Sequence, residues 1–328
     1  MGVVYRGLRC RLLFHLSPLF SFHIDGTVRP ALFSLRLGIR FPCSKRHAHE
    51  DLMTQPIKMM STDQAREYME GHKPDEYTLL DVRQAWEYEE FHIPGAQFIP
   101  LVELPDRLAE VDTSKPVIAY CAAGGRSMAA AVLLEGQGYD DITNMVGGAM
   151  AWQGHVAYGP MELGMIEFTG EETSVEVILK AYAMENSLQQ FYVQRADMAE
   201  TLERIELFME LAGFEDRHKD TLFNLYTKLI GEETDRELFE SIAFDSVGFT
   251  AEGGIEIQEF LDDHGEAFDD DHGVLQLATM VEAQALDYYL RCAARAEIPE
   301  TQSVLQLLAR EEKAHLKLLG RFMDKRGK

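Results

Sequence analysis

The spacing of apolar residues changes character near the middle of this chain. Between residues 56 and 158, short apolar runs alternate with helical stretches. Residues 77–82 (YTLLDV), 97–99, 117–120 (VIAY) and 142–146 read as strands. Near-continuous apolar runs of this kind suit strands covered on both faces. Ser61 with Gln64 has the spacing of a capping box that opens a short helix, and residues 126–135 read as a helix stopped by Gly136 and Gly138. Strand–helix alternation predicts an α/β fold, a parallel sheet flanked by helices.

Past residue 172 the period becomes helical. Thr173 and Glu176 form a second capping box, and Val177, Ala181, Met184, Leu188 and Tyr192 follow at the spacing of a buried stripe. Helices are expected near 173–197, 200–229, 273–296 and 301–325, an all-α four-helix bundle. The long connection at 231–273 is read as a crossover joining two helix hairpins. Its acidic run (Asp262, Asp263, Asp269, Asp270, Asp271) lacks the spacing of a calcium loop and is read as a solvated cap of the third helix. The aperiodic stretch 156–170, with three glycines and a proline, reads as a connector. The expected organisation is a domain at 56–158, a linker at 159–172 and a second domain at 173–328.

Two constellations carry chemistry. In the helical half, Glu185 is followed by Glu215 and His218, and Glu282 by Glu312 and His315. All three residues step by 97 positions, as do Tyr192 and Tyr289. Each E-x-x-H puts a carboxylate and an imidazole on one helix face. A lone Glu from two helices plus an E-x-x-H from two others is the ligand set of a di-iron or di-manganese site inside a four-helix bundle. Charge on duplicated, solvated helix faces is the plainer alternative. Carboxylates and imidazoles without thiolates suit iron or manganese rather than zinc or copper(I). Tyr192 and Tyr289 stand either as hydrogen-bond partners of ligand carboxylates or as core aromatics.

The second constellation is Cys121-Ala122-Ala123-Gly124-Gly125-Arg126-Ser127, between a strand and a helix. Converging loop amides and a helix N-terminus make an anion cradle there, which lowers the pKa of a cysteine at its start. The other reading of Cys121 is an inert buried thiol. Only four residues separate Cys121 from Arg126. So small a ring suits one sulfur atom rather than a phosphoryl group, which implies a thiolate that takes up sulfane sulfur as a persulfide.

Composition narrows the setting. An apolar fraction of 46% in 328 residues supports two real cores. The net charge of −24 disfavours nucleic acid and anionic lipid as partners. Four scattered cysteines without a C-x-x-C point to a reducing, cytoplasmic setting and exclude a zinc ribbon or rubredoxin-type site. Cys292 is read as core, with a resolving thiol for Cys121 as the alternative. No run of apolar residues is long enough to span a membrane. Residues 1–52, basic where the rest is acidic, are read as an N-terminal extension, disordered or a mis-assigned start ahead of Met53, rather than as a transit peptide.

Two resemblances follow from these residues. Asp81-Val82-Arg83, the stretch Glu87 to Ala96 (EYEEFHIPGA), the CAAGGRS loop and Gly147-Gly148-Ala149-Met150-Ala151-Trp152 resemble a single-domain rhodanese, with Phe91 replacing the usual glycine before His-Ile-Pro-Gly-Ala. That resemblance implies Cys121 as persulfide carrier and Arg126 as a contact for an anionic donor, with Asp81 and Arg83 as braces. Residues 173–325 resemble the ferritin-like, rubrerythrin-type di-iron bundle. They depart from it in lacking the extra glutamate near Glu282, where Thr279 and Ala285 stand, and in having no rubredoxin cysteines.

The resemblances together imply a sulfurtransferase that takes sulfur from thiosulfate or a persulfide and gives it to a thiol or cyanide, attached to a domain holding two iron ions (manganese being the alternative). An external electron donor and a homo-oligomer are further expectations. The competing expectations are a di-iron oxidase, peroxidase or iron-handling protein with a sulfur-sensing rhodanese, and a binding module with neither activity.

Overall fold

In a computed structural model the residues described are 57–165, 168–231, 234–244, 250–251, 255–256 and 271–326. They fall in one compact unit, Met53–Lys328. The extension 1–52 and the acidic positions Asp262, Asp263, Asp269 and Asp270 lie outside them.

The first half is a five-stranded parallel sheet. Its strands are β1 (Lys58–Ser61), β2 (Thr78–Asp81), β3 (Gln97–Phe98), β4 (Val117–Tyr120) and β5 (Ile142–Val146), in the order β1-β5-β4-β2-β3. Helices α1 (Thr62–Gly71), α2 (Ala85–Glu90), α3 (Gly125–Gly136) and α4 (Gly148–Ala151) connect them. Every residue of β2 and β4 is buried because both faces are covered. Leu80 and Ala119 face Ala130, Ala131 and Leu134 of α3, whereas Leu79, Ile118 and Tyr120 pack with Ala65 of α1 and Tyr88 of α2. Strand side chains alternate between faces, so one apolar run feeds two cores. The Ser61–Gln64 capping box forms as the sequence predicts. β1 escapes a periodicity reading, since Lys58-Met59-Met60-Ser61 at the sheet edge is mostly exposed.

The second half is all-α. Helices α5 (Ser174–Met198) and α6 (Leu202–Ile230) pack as one pair. Beyond α7 (Arg236–Phe244) and a two-stranded ribbon, β6 (Thr250–Ala251) and β7 (Ile255–Glu256), α8 (Asp271–Arg295) and α9 (Pro299–Arg326) pack as a second. The four long helices lie within two or three residues of their predicted bounds. α7 is an amphipathic helix of about two and a half turns inside the expected crossover, anchored by Phe239 among Tyr182, Phe223 and Tyr226. No helix among the described residues is long and apolar enough to cross a membrane.

The two halves are joined by buried polar contacts. Gly95 N–H donates to Asp287 Oδ1 of α8 at 2.9 Å, and Arg291 Nε donates to Asp287 Oδ2 at 2.7 Å. His92 Nε2 stands 3.3 Å from the same carboxylate, at ion-pair distance but without hydrogen-bond alignment. Burial would raise the Asp287 carboxyl, but His92, Arg291 and the Gly95 N–H bring it down to about 2. Gly95 has φ +78°, and a Cβ there would lie 2.4 Å from Leu290 Cδ1, so only glycine permits this approach. Lys313 and Lys317 of α9 donate to the terminal carbonyls of α1, at Met69, His72 and Glu70. The stretch read as a linker is gripped too. Gln284 pairs with the backbone N–H and C=O of Tyr158, and Arg291 donates to the carbonyls of Met161 and Leu163.

Candidate active site and metal centre

Cys121 follows the last residue of β4 and is 2% exposed. The chain then turns through Ala122, Ala123 and Gly124 into α3. Gly124 sits at φ +103°, a left-handed conformation that suits glycine and aims the next amides inward. The N–H of Gly124 donates to Cys121 Sγ at 3.1 Å, and Ser127 Oγ lies 3.4 Å from it. Burial alone would raise the thiol; the Ser127 hydroxyl and the N–H groups of Ser127, Ala123 and Gly124 outweigh it and hold Cys121 below the ordinary cysteine value. These donors gather on one sulfur at the positive end of α3, as the loop sequence predicts.

The loop is braced from outside its own sequence. Asn144 Oδ1 of β5 lies 2.6 Å from Ser127 Oγ and shares that hydroxyl's one proton with Cys121 Sγ, while Asn144 Nδ2 donates to the Gly124 carbonyl at 3.2 Å, which fixes the serine near the sulfur. Ala149 and Met150 donate from their amides to the carbonyls of Cys121 and Ala122 at 2.8 and 2.9 Å. A Cβ on Gly148 would lie 2.0 Å from the Cys121 oxygen, so the second glycine of the Gly147-Gly148 pair lets α4 close beneath the loop. Asp81 and Arg83 form a buried bidentate pair, and Arg83 also donates to the Phe91 carbonyl; both brace the sheet, as expected.

Arg126 does not stand free above the sulfur. Its two terminal nitrogens donate to Glu87 Oε2 and Oε1 at 2.6 and 2.7 Å. Glu87 Oε2 also accepts the Gln84 N–H at 3.0 Å. The Arg126 guanidinium holds the Glu87 carboxyl below its usual range, and Glu87 in turn raises Arg126.

Five of the other six predicted residues fall in two groups of three inside the helical half, and Glu282 stands beside them, against His315. Glu185 comes from α5, Glu215 and His218 from α6, Glu282 from α8, and Glu312 and His315 from α9. All five besides His315 are buried, and the His315 side chain is 14% exposed. His218 Nδ1 lies 3.1 Å from Glu185 and 3.3 Å from Glu215; His315 Nδ1 lies 3.0 Å from Glu312 and 3.4 Å from Glu282. The two imidazoles stack with centroids 3.4 Å apart. Ligand atoms of Glu185, Glu215 and His218, and likewise of His218, Glu312 and His315, lie within 4.8 Å of one another.

Packing explains the convergence. Along α5, α6 and α8 one hydrophobic cluster gives way to another within a turn of the ligand residues, so the six polar side chains share the belt where the two clusters meet. Tyr289 is buried in one cluster and Tyr192 in the other. Glu215 Oε2 and Glu282 Oε2 are buried and accept no hydrogen bond. Burial would raise Glu282, but His315, its Nδ1 3.4 Å away, brings it below the ordinary carboxylate value. Buried carboxylate oxygens left without a donor, beside two imidazoles, suit a divalent cation as the missing partner. Cys292 belongs to the core: its Sγ is 3.6 Å from Met165 Sδ, and burial pushes its thiol up to about 12.

Sequence reasoning missed Asn144 and the roles of Glu87, Asp287 and Arg291. Asn144 was detectable only as a polar residue within an apolar strand run.

Comparison with known proteins agrees with this geometry in the first half. The family model described as Rhodanese-like domain matches residues 61–155. The uncharacterized protein YqhL of Bacillus subtilis is 38% identical over 99 residues, covering 30% of this chain and 77% of that protein. A sulfurtransferase of Allochromatium vinosum is 35% identical over 81 residues, 25% of this chain and 76% of that protein. The thiosulfate sulfurtransferase GlpE of Pseudomonas savastanoi pv. phaseolicola is 35% identical over 75 residues, 23% of this chain and 71% of that protein. The chain therefore belongs to the rhodanese-like family, with its family domain at residues 61–155 followed by a helical region of four long helices packed in pairs.

Proposed function

We propose that the protein is a rhodanese-type sulfurtransferase that carries sulfane sulfur as a persulfide on Cys121. The carrying observation is the set of N–H donors and the Ser127 hydroxyl gathered on Cys121 Sγ. In this reading the thiolate attacks the outer sulfur of a donor such as thiosulfate or a persulfide. The donor's sulfur–sulfur bond breaks, and sulfite or a thiol leaves with the bonding pair. The persulfide anion on Cys121 then occupies the cradle, where the loop amides stabilise it as an oxyanion hole stabilises oxygen. An acceptor thiol or cyanide removes the outer sulfur and restores the thiolate. Ala122, Ala123, Gly124 and Gly125 contribute backbone and space; Ser127 contributes a hydroxyl donor. Cys121→Ser is expected to abolish transfer to cyanide and to leave metal content unchanged; full activity in that variant would end the reading.

The helical region is read as a ferritin-like, rubrerythrin-type domain at 173–328, joined through 159–172 to the rhodanese domain at 56–158. Glu185, Glu215 and His218 from one helix pair, and Glu282, Glu312 and His315 from the other, would hold two iron ions, or manganese. Such a pair, when bound, supplies redox chemistry toward oxygen or peroxide. The protein's own residues bury that site, orient both imidazoles and keep four carboxylates facing inward. An external electron donor and a thiol acceptor are the expected partners.

A second reading makes the helical site the working part, an oxidase, peroxidase or iron-handling centre, with the rhodanese domain as its sulfur or redox sensor. The buried Asp287 network tying the domains favours keeping it. Oxygen or peroxide consumption lost in Glu215→Ala and retained in Cys121→Ser would support it.

A further inference from the structure

We infer that Glu87 sets donor selectivity by neutralising Arg126, so that this cradle takes sulfur from thiol persulfides in preference to the thiosulfate dianion. The inference rests on the persulfide reading of Cys121 and names the substrate class of that site.

Arg126 is the cation of the Cys121 loop, and both of its terminal nitrogens donate to one carboxylate, at 2.6 and 2.7 Å, which balances its charge. The pair is not a loose surface contact. Glu87 is the third residue of α2, its Oε2 is fixed by the Gln84 amide, and its side chain is 12% exposed. Because Arg126 lowers the Glu87 carboxyl, the glutamate stays ionised across the neutral range. Cys121 also feels the Arg126 guanidinium, but the groups that weigh most on its sulfur are neutral N–H groups and a hydroxyl, enough to stabilise a single negative charge. A dianionic donor would therefore approach a thiolate beside a charge-balanced pair, on a chain whose net charge is −24. A persulfide carries at most one negative charge, and none in its hydropersulfide form, and so meets less of that repulsion.

The step balances. The Cys121 thiolate forms a bond to the outer sulfur of R–S–SH, the donor's sulfur–sulfur bond breaks, and R–S⁻ leaves with the bonding pair. The proton of the hydropersulfide passes to the leaving thiolate, giving R–SH and the Cys121 persulfide anion. Sulfane sulfur changes hands with no outside oxidant or reductant.

The test uses the full chain and three donors: cysteine persulfide, the monoanion methanethiosulfonate and thiosulfate. Persulfide formation on Cys121 is followed by intact mass, and kcat/KM by turnover to an acceptor thiol. For the native protein, kcat/KM is expected to fall in that donor order, with thiosulfate about a hundredfold below cysteine persulfide. Thiosulfate turnover should rise with added salt, as like-charge encounters do. Glu87→Gln should shift the thiosulfate-to-persulfide ratio by about tenfold toward thiosulfate, because it leaves Arg126 an uncompensated cation. Glu87→Ala should shift it the same way, and circular dichroism establishes that each variant is folded. Thiosulfate turnover equal to or above that of cysteine persulfide, or a folded Glu87 variant with an unchanged ratio, would overturn the inference while leaving Cys121 as carrier. Failure of every donor to load Cys121 would instead overturn the persulfide reading itself, and this inference with it.

Discussion

The Cys121 cradle and the six-residue helical cluster bury polar chemistry by opposite means. The cradle draws on consecutive backbone: Cys121 to Ser127 supplies the sulfur and the groups that donate to it, and the rest of the domain holds the loop's shape. The helical cluster draws on side chains from four helices, separated by as much as 130 residues of chain, and no backbone group there is available to help. A backbone cradle depends on turn geometry, so its weak points are Gly124 and Gly148. A side-chain cluster depends on each ligand separately, so its weak points are the carboxylates and imidazoles themselves.

The contrast is sharpest in metal binding. Glu282→Ala removes a buried carboxylate that no neighbouring group can replace, and metal stoichiometry is expected to drop by at least half in anaerobically purified protein, while Cys121 still loads with sulfur. Unchanged stoichiometry would mean that the cluster is a structural charge network and not a metal centre.

Next in size is the junction between the rhodanese-like domain and the helical region. Asp287→Asn leaves Arg291 and the Gly95 amide without a charged partner, and unfolding stability is expected to fall by about 3–5 kcal/mol. The Asp287 carboxyl is depressed to about 2 in the folded state, below its ordinary unfolded value near ~4. Its contribution is therefore complete above that unfolded value and is lost as pH falls toward the folded one. Denaturant midpoints recorded down this range should converge for the native and variant proteins.

A smaller effect is expected at Ser127. Ser127→Ala removes one donor from the thiolate while the amides remain, and sulfur uptake at neutral pH should slow by about tenfold. The sign follows from the hydrogen bond: a donor favours the thiolate, so its loss raises the Cys121 pKa and moves the rising limb of the pH–rate profile toward higher pH. The smallest effect belongs to Ala123→Ser. Its backbone N–H does the work and its side chain is exposed, so kcat/KM should stay within about threefold of the native value.

Legibility in the sequence follows the same division. The cradle could be read because its parts are adjacent: an apolar strand, a cysteine, two glycines and a helix start. The helical cluster is spread along the chain, and it could be read only because the Glu, E-x-x-H pattern recurs at a constant offset. Single long-range partners carry no such signal. Nothing local marks Asn144 as the residue that orients Ser127, Glu87 as the partner of Arg126, or Asp287 as the anchor for His92 and Gly95. β1 was hidden for a related reason, since it is an edge strand with little apolar pattern. The stretch at 156–170 reads as a connector because its turns break any period, yet its backbone carbonyls and amides are bound by Gln284 and Arg291.

The central claim is that Cys121 holds transferable sulfur. It is tested most directly by intact-mass measurement of the protein after anaerobic incubation with cysteine persulfide and removal of the donor. The account predicts a gain of one sulfur atom that maps to Cys121, disappears on adding an acceptor thiol and is absent from Cys121→Ser. A native protein that gains no sulfur, or gains it equally when Cys121 is replaced, would contradict it.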